Sequence, residues 1–195
     1  MGDGVIQYKN GTPVQSYNEK NAFKETAGGY GSGYCYIDGL AFDKNGNLWM
    51  TSSEVNHAVL VLDKAGAWHR LDIEQLRGVY TINDILITST NDKWIYVPRN
   101  TPKLVMIPNS ESLDEVSSYE FTTLIDTDGK ELTPSNYTCV AEDKDGYIWV
   151  GTNRGAVYFT KPRISSAEDK AATRCTRVQS VSYTHLRAHE TKANL

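Results

Sequence analysis

The sequence predicts an all-β fold, an incomplete β-propeller of about three four-stranded blades plus a partial N-terminal blade. Three observations predict it. First, Asp43-Lys44-Asn45-Gly46-Asn47-Leu48-Trp49-Met50-Thr51 recurs as Asp143-Lys144-Asp145-Gly146-Tyr147-Ile148-Trp149-Val150-Gly151, with Asp, Lys, Gly and Trp at the same offsets. Between these copies, Thr88-Ser89-Thr90-Asn91-Asp92-Lys93-Trp94-Ile95 aligns on its Trp without a gap. Second, the tryptophans Trp49, Trp94 and Trp149 are spaced by 45 and 55 residues, which brackets the roughly 40–50 residues of a propeller repeat once loop insertions are allowed. Third, each period offers four short apolar or β-branched runs separated by turn residues, and four strands make a blade.

Taken in chain order, Gly4 to Tyr8 and Val14 to Tyr17, joined across Asn10-Gly11, read as the outer two strands of a blade whose inner half is not represented, over residues 1–23. Residues 24–34 form a Gly-rich loop. The complete blades are expected at 35–78, 79–126 and 127–180, the last of them cut short. Each opens with a hairpin, Gly39 to Phe42 into Leu48-Trp49-Met50 being the first. Gly46 and Gly146 supply the positive φ of its turn, and Asn91 replaces them in the middle copy because Asn is the side chain that best tolerates that conformation. Leu48, Trp49 and Met50 are apolar in succession, so this strand is buried on both faces, which requires a neighbouring blade on each side. Further strands follow at Ala58 to Leu62, Trp68 to Leu71, Lys103 to Ile107, Tyr119 to Thr122, Ala156 to Phe159 and Cys175 to Val178. No long amphipathic helix is expected.

Composition narrows the function classes. At 195 residues, 39% hydrophobic and 23% charged, the chain has the make-up of a folded globular protein. The net charge of -4 comes without a Lys/Arg cluster, so nucleic acid is not an expected partner. No run approaches the roughly 20 apolar residues of a membrane span, and the first residues lack the order of a signal peptide. Cys35, Cys139 and Cys175 show no CxxC spacing, which reads as buried thiols rather than a zinc site or disulfide framework.

The repeats resemble the two-component regulator propeller repeat, whose signature is an Asp, a turn Gly, an aliphatic residue, Trp and then Gly or Thr. The match is closest over Asp143 to Gly155 and extends over about residues 1–178. The first unit departs from the pattern with Met50-Thr51-Ser52, and the second departs further. Such repeats occur in ectodomains of bacterial hybrid two-component sensors and in PorZ-like proteins of type IX secretion. The short spacer after the third unit and Cys175 to Val178 favour the PorZ-like group. The resemblance implies an extracytoplasmic location, in the periplasm or at the cell surface, and a non-catalytic binding or scaffold role, with a ligand-sensing ectodomain as the alternative. A streptogramin-lyase-like enzyme is a further alternative, and it would need a histidine and carboxylates converging near the propeller axis. The expected partners are the remaining blades and domains of a full-length protein and a protein or glycan ligand, with no cofactor.

Among candidate sites, Asp43, Gly46, Trp49, Asn91, Trp94, Asp143, Gly146, Trp149, Gly151 and Gly155 are read as the structural signature of the repeat. The Asp-rich turns resemble the opening of a calcium loop, and Glu54 stands twelfth from Asp43, but Arg154 occupies the matching place in the other copy and a strand follows where ligands belong. They read as hairpin turns. His57 and His69 lack a companion metal or acid-base motif, and the Ser52-Ser53, Ser117-Ser118 and Ser165-Ser166 pairs lack a nucleophile elbow. The repeated tryptophans read as blade packing rather than a carbohydrate platform. Tyr30, Tyr34 and Tyr36, flanking the Gly-rich loop, are the candidate ligand surface. Residues 181–195, beginning Val181-Ser182-Tyr183-Thr184-His185, resemble translated sequencing adapter and are set aside as non-native, with the reading frame expected to have been cut in mid-gene.

Overall fold

The computed structural model describes residues 4–23, 35–113, 115–160 and 164–178. Three four-stranded antiparallel sheets follow one another along the chain, each a meander whose spatial order is its chain order. The first contains β3 (Ile37–Phe42), β4 (Leu48–Ser52), β5 (Val59–Leu62) and β6 (Trp68–Leu71). The second contains β7 (Ile85–Ile87), β8 (Lys93–Val97), β9 (Lys103–Ile107) and β10 (Tyr119–Phe121). The third contains β13 (Tyr137–Glu142), β14 (Ile148–Thr152), β15 (Gly155–Phe159) and β16 (Thr176–Arg177). Ahead of them, β1 (Val5–Lys9) and β2 (Thr12–Tyr17) form a separate two-stranded sheet. This is the propeller arrangement expected from the repeat, three blades and part of another, and it is not a closed barrel.

Short elements lie outside the four-stranded pattern, a one-turn 3-10 helix at Glu74–Leu76 among them. A small hairpin, β11 (Leu124–Ile125) with β12 (Glu131–Leu132), sits between the second and third blades. A short helix, α1 (Ala167–Ala172), precedes β16, capped by the Ser166 hydroxyl accepting from the Asp169 amide at 3.1 Å. Six residues are too few for a stable helix by themselves, and no α1 side chain is buried.

The blades stack through two apolar layers. The Trp49 and Val61 face of the first blade packs on Ile85, Ile95, Val105 and Ile107 of the second. The opposite face of the second blade, with Trp94, Leu104, Met106 and Phe121, packs on Ile148, Val150, Val157 and Phe159 of the third. β4 and β8 therefore send their Trp toward the following blade and the residues flanking it to the opposite face. All five residues of β8 are buried, and so are the last four of β4, because each strand is covered on both sides. In β14 burial alternates instead, and Trp149 is 36% exposed. A third layer joins Val5, Tyr17, Ala22 and Phe23 to Met50, Leu60 and Trp68 on the back of the first blade.

The first strands β3, β7 and β13 lie side by side along one edge of the stack, as inner strands of a propeller do. Gly39 makes the close approach of the first two blades possible. A Cβ there would stand 2.8 Å from the Ile85 amide nitrogen, closer than side-chain carbons come to backbone, and 3.0 Å from the Asp84 Cα.

Candidate functional site

The repeat signature is a hydrogen-bonded turn. The Asp43 Oδ1 accepts from the amides of Asn45 and Asn47, both at 2.9 Å, and its Oδ2 accepts from Asn47 Nδ2 and Trp49 Nε1, both at 2.9 Å. Gly46 closes the turn with φ 86°. Asp143 repeats the arrangement, accepting from Asp145 and Tyr147 amides at 2.9 Å and from Trp149 Nε1 at 2.7 Å, with Gly146 at φ 80°. Burial pushes the Asp43 carboxyl up, but hydrogen bonds from Trp49 and Asn47 outweigh it and hold the group below the usual carboxylate range. Asp143 is also held low, chiefly by the Trp149 indole. Both carboxylates direct their acceptor lobes into their own hairpins, as a turn requires.

The middle copy keeps the turn and loses the indole bond. Asn91 takes positive φ at 67°, and the Thr88 Oγ1 accepts from the Asp92 amide at 3.0 Å in place of the aspartate. A hydroxyl does not extend as far as a carboxylate, and Trp94 Nε1 is buried without a hydrogen-bond partner.

Turn-to-turn contacts tie the blades together on this side. The Lys44 Nζ donates to the Ser89 carbonyl and the Lys44 amide to Asn91 Oδ1 at 3.0 Å. Ser89 in turn donates from its amide and hydroxyl to Glu142 at 2.6 and 2.5 Å.

At the opposite end of the inner strands a polar row crosses all three blades. Asp38, Asn83 and Thr138 occupy the same repeat position, five residues before Asp43, Thr88 and Asp143. Strand pairing shifts register at Asp38 and Thr138, and such bulges re-aim side chains at sheet ends. The Asp38 Oδ2 accepts from Ser53 Oγ at 2.6 Å, and that hydroxyl accepts from the Ile82 amide at 2.8 Å. Burial raises the Asp38 carboxyl above its ordinary range against the opposing pull of Ser53.

The Asn83 Nδ2 donates to the Tyr96 Oη at 2.9 Å, which donates to the Thr138 carbonyl at 3.1 Å. Thr51, at the repeat position of Tyr96, makes the corresponding bond one blade earlier, from its Oγ1 to the Asn83 carbonyl at 3.1 Å. This explains why the first two units depart from the Gly of the signature: that position bridges to the next blade. In the third unit the position is Gly151, where a Cβ would lie 2.6 Å from Cys139 Sγ. Beside Tyr96 a small cavity of about 130 Å³ is lined by Asp84, Ile85, Leu86, Cys139 and Val140. The row offers acidic and neutral hydrogen-bonding groups at an edge that connects three blades, suited to recognising a polar ligand or a loop of a partner.

Other sequence candidates lie elsewhere. Tyr30 and Tyr34 fall outside the described residues, as do residues 181–195. Tyr36 is 39% exposed, just ahead of β3. His69 is on the outermost strand β6, its Nε2 3.2 Å from Asp63 Oδ2, and His57 sits in the loop between β4 and β5. His69 thus lies away from the inner edge that carries the polar row. Gly155, at φ 102°, closes the tight turn in which the Thr152 hydroxyl donates to its carbonyl at 2.7 Å. Cys35 and Cys175 are buried, whereas Cys139 is exposed, which corrects the expectation of three buried thiols. It sits on the inner strand of the third blade, which has no further blade beyond it among the described residues.

The sequence reading missed the polar row, whose members are single residues in unremarkable contexts. It also missed two further turns of the same design, at Asp63 and Asp126. Each accepts two amides of its own turn, Ala65 and Ala67 at 2.8 Å, and Asp128 and Lys130 at 3.0 and 2.8 Å. The signal was present as Asp-x-x-Gly in Asp63 to Gly66 and Asp126 to Gly129, but Trp68 stands five residues after Asp63 rather than the six of the signature, and no Trp closely follows Asp126.

Residues 131–154 match the two-component regulator propeller family, a stretch that holds the third blade's Asp143 turn and Trp149. The chain carries a two-component regulator propeller repeat. No curated protein matches the chain in sequence. Among solved structures, it is similar to PorZ, a bacterial surface component of the type IX secretion system of Porphyromonas gingivalis, with TM-score 0.78 and 17% identity over 90% of this chain. It is also similar to the extracellular domain of the hybrid two-component system BT3049 from B. thetaiotaomicron, with TM-score 0.57 and 15% identity over 89% of this chain. A catalytically inactive virginiamycin B lyase from Staphylococcus aureus gives TM-score 0.50 and 13% identity over 75% of this chain. The chain spans 24% of the PorZ structure, 20% of the BT3049 domain and 43% of the lyase. At these identities the likeness is one of fold.

Proposed function

We propose that this propeller repeat chain is part of a non-catalytic binding or scaffold module in an extracytoplasmic bacterial protein, of the PorZ-like kind. The observation that carries the reading is the superposition on PorZ at TM-score 0.78, because it extends over 90% of the chain and so takes in blades and junctions together. The chemistry of the polar row agrees with it. Asp38 bonds to Ser53 and Asn83 to Tyr96, and each pair is tied to main chain of a neighbouring blade, which preorganises a rigid recognition edge. His69, on the outermost strand β6, pairs with Asp63 of the turn that leads into it, far in the sheet from the inner edge where a lyase would need it. The partners proposed are the other blades and domains of the longer protein and a protein or glycan ligand.

The test is deletion of the encoding gene in its host, with surface and periplasmic proteomes compared and surface exposure read by protease shaving. Accumulation of export cargo in the periplasm is the expected result. Normal export together with a lost transcriptional response to an external ligand would replace the reading with the sensor ectodomain. A cytoplasmic protein would overturn both.

A further inference from the structure

A groove of about 340 Å³ runs between the first strand of the N-terminal hairpin and the back of the first blade, lined by Val5, Ile6, Tyr17, Leu40, Phe42, Leu48 and Leu62 among others. Its position in the repeat identifies what fits it. At the junction of the first and second blades, Trp49 lies over the back of the second, with Lys93 Nζ 4.3 Å from its ring centre and Ile107 in the same apolar layer. At the next junction, Trp94 lies against Phe159, ring centres 5.6 Å apart, with Ile148 in the layer. Lys93 pairs with Ile107 across its sheet, and Ile148 pairs with Phe159. The equivalent cross-strand pair in the first blade is Leu48 with Leu62, and both line the groove. The floor of the groove is thus the place where two other blades each receive a tryptophan.

The wall has matching chemistry. Among the described residues β1 pairs with β2 alone, so its other edge presents backbone groups of the kind to which an extended strand adds. In the complete blades that place is held by the Trp-bearing second strand, antiparallel to the third. The apolar side chains beneath it remain accessible, Leu40 at 49% and Phe42 at 69%. Single exposed apolar residues are ordinary on a protein surface, but these form one continuous floor beneath a strand edge.

We propose that this groove takes an extended peptide strand carrying a tryptophan between two aliphatic residues, which adds antiparallel to the free edge of β1 and seats its indole over Leu48 and Leu62. Main-chain bonds to β1 supply the pairing, and the alternation of side chains along the strand selects a Trp at the one position that faces the floor.

The probe is a synthetic decapeptide with the sequence of residues 144–153, labelled and titrated onto the full chain by fluorescence anisotropy, and also fused ahead of Met1 through a flexible linker to raise its effective concentration. Uptake is expected to weaken by about tenfold or more when the peptide's Trp is replaced by Ala, as for a buried aromatic anchor. Phe42→Glu in the protein is expected to do the same, and because Phe42 is exposed the fold survives, which circular dichroism checks. Hydrogen exchange should slow at the β1 amides that β2 leaves unbonded, in both the titrated and the fused forms. Equal binding of the Trp-free peptide, or binding indifferent to Phe42→Glu, would overturn the proposal. So would a dimer by sedimentation that Phe42→Glu abolishes without peptide uptake, which would make a second copy the occupant. Absence of protection in the fused form sinks it as well.

Discussion

The Trp49 indole nitrogen donates to the Asp43 carboxylate at 2.9 Å, across the hairpin turn that opens the first blade. One carboxylate thereby closes a turn and orients a ring that is 1% exposed at the junction with the second blade. Asp43→Asn keeps the size but sets an amide donor or a weaker acceptor against the indole, and Asp43→Ala leaves the indole unpaired. The expected loss for alanine is about 1–3 kcal/mol, the cost of stranding a buried donor, read from the urea midpoint.

Acid should act through the same group. Because the folded pKa of Asp43 lies below its unfolded value, its contribution is complete above about pH 4 and is lost as pH falls through the folded pKa. Stability of the Asp43→Asn variant should therefore fall less steeply than wild type below pH 4. Parallel curves would assign the acid sensitivity to other carboxylates.

Thr88→Asp supplies the missing acceptor for Trp94. Since Trp94 Nε1 is buried without a partner and the aspartate makes that bond in both other blades, the variant should gain about 0.5–1.5 kcal/mol. Thermal melting checks it, and an unchanged or lowered midpoint would show that the neighbouring Asp92 offsets the gain.

Lys93 is 2% exposed beneath Trp49, where the flanking blades carry Leu48 and Ile148. Burial holds its ammonium below the ordinary lysine range, opposed by Asp43 and Asp92. The unfolded chain binds the proton more tightly, so stability should rise with pH between the folded and unfolded pKa values. Lys93→Met should be neutral or stabilising at pH 7, and should flatten that rise in denaturation curves taken from pH 7 to 10.

Tyr96→Phe removes the bridge from the Asn83 amide to the Thr138 carbonyl between the second and third blades. A loss of about 1–2 kcal/mol is expected, with faster hydrogen exchange concentrated in β7 and β13. Uniform acceleration over all three blades would mean that the bridge stabilises the stack as a unit.

The hairpin turn, its Asp, Gly and Trp, and the four-stranded period were legible because their partners lie within six residues, and turn chemistry acts over that range. Asn91 in place of Gly was legible for the same reason. The link between Thr51 and Asn83, and that between Tyr96 and Thr138, join residues 32 and 42 apart. Nothing in the local sequence marks Thr51, Asn83 or Tyr96 as members of one row. Cys139 misled in the same way, since the burial of an inner-strand side chain depends on what stands beside its blade.

By itself, the sequence determined the unit: an Asp-capped turn, a Trp-bearing strand and the spacing that repeats them. The tertiary structure decided which face of each blade meets which neighbour, and so why Trp49 and Trp94 are buried while Trp149 is exposed over about a third of its surface. The physical reason is range. Turn hydrogen bonds are satisfied within one hairpin, whereas apolar burial and the inter-blade bridges exist only once sheets distant in the chain have stacked.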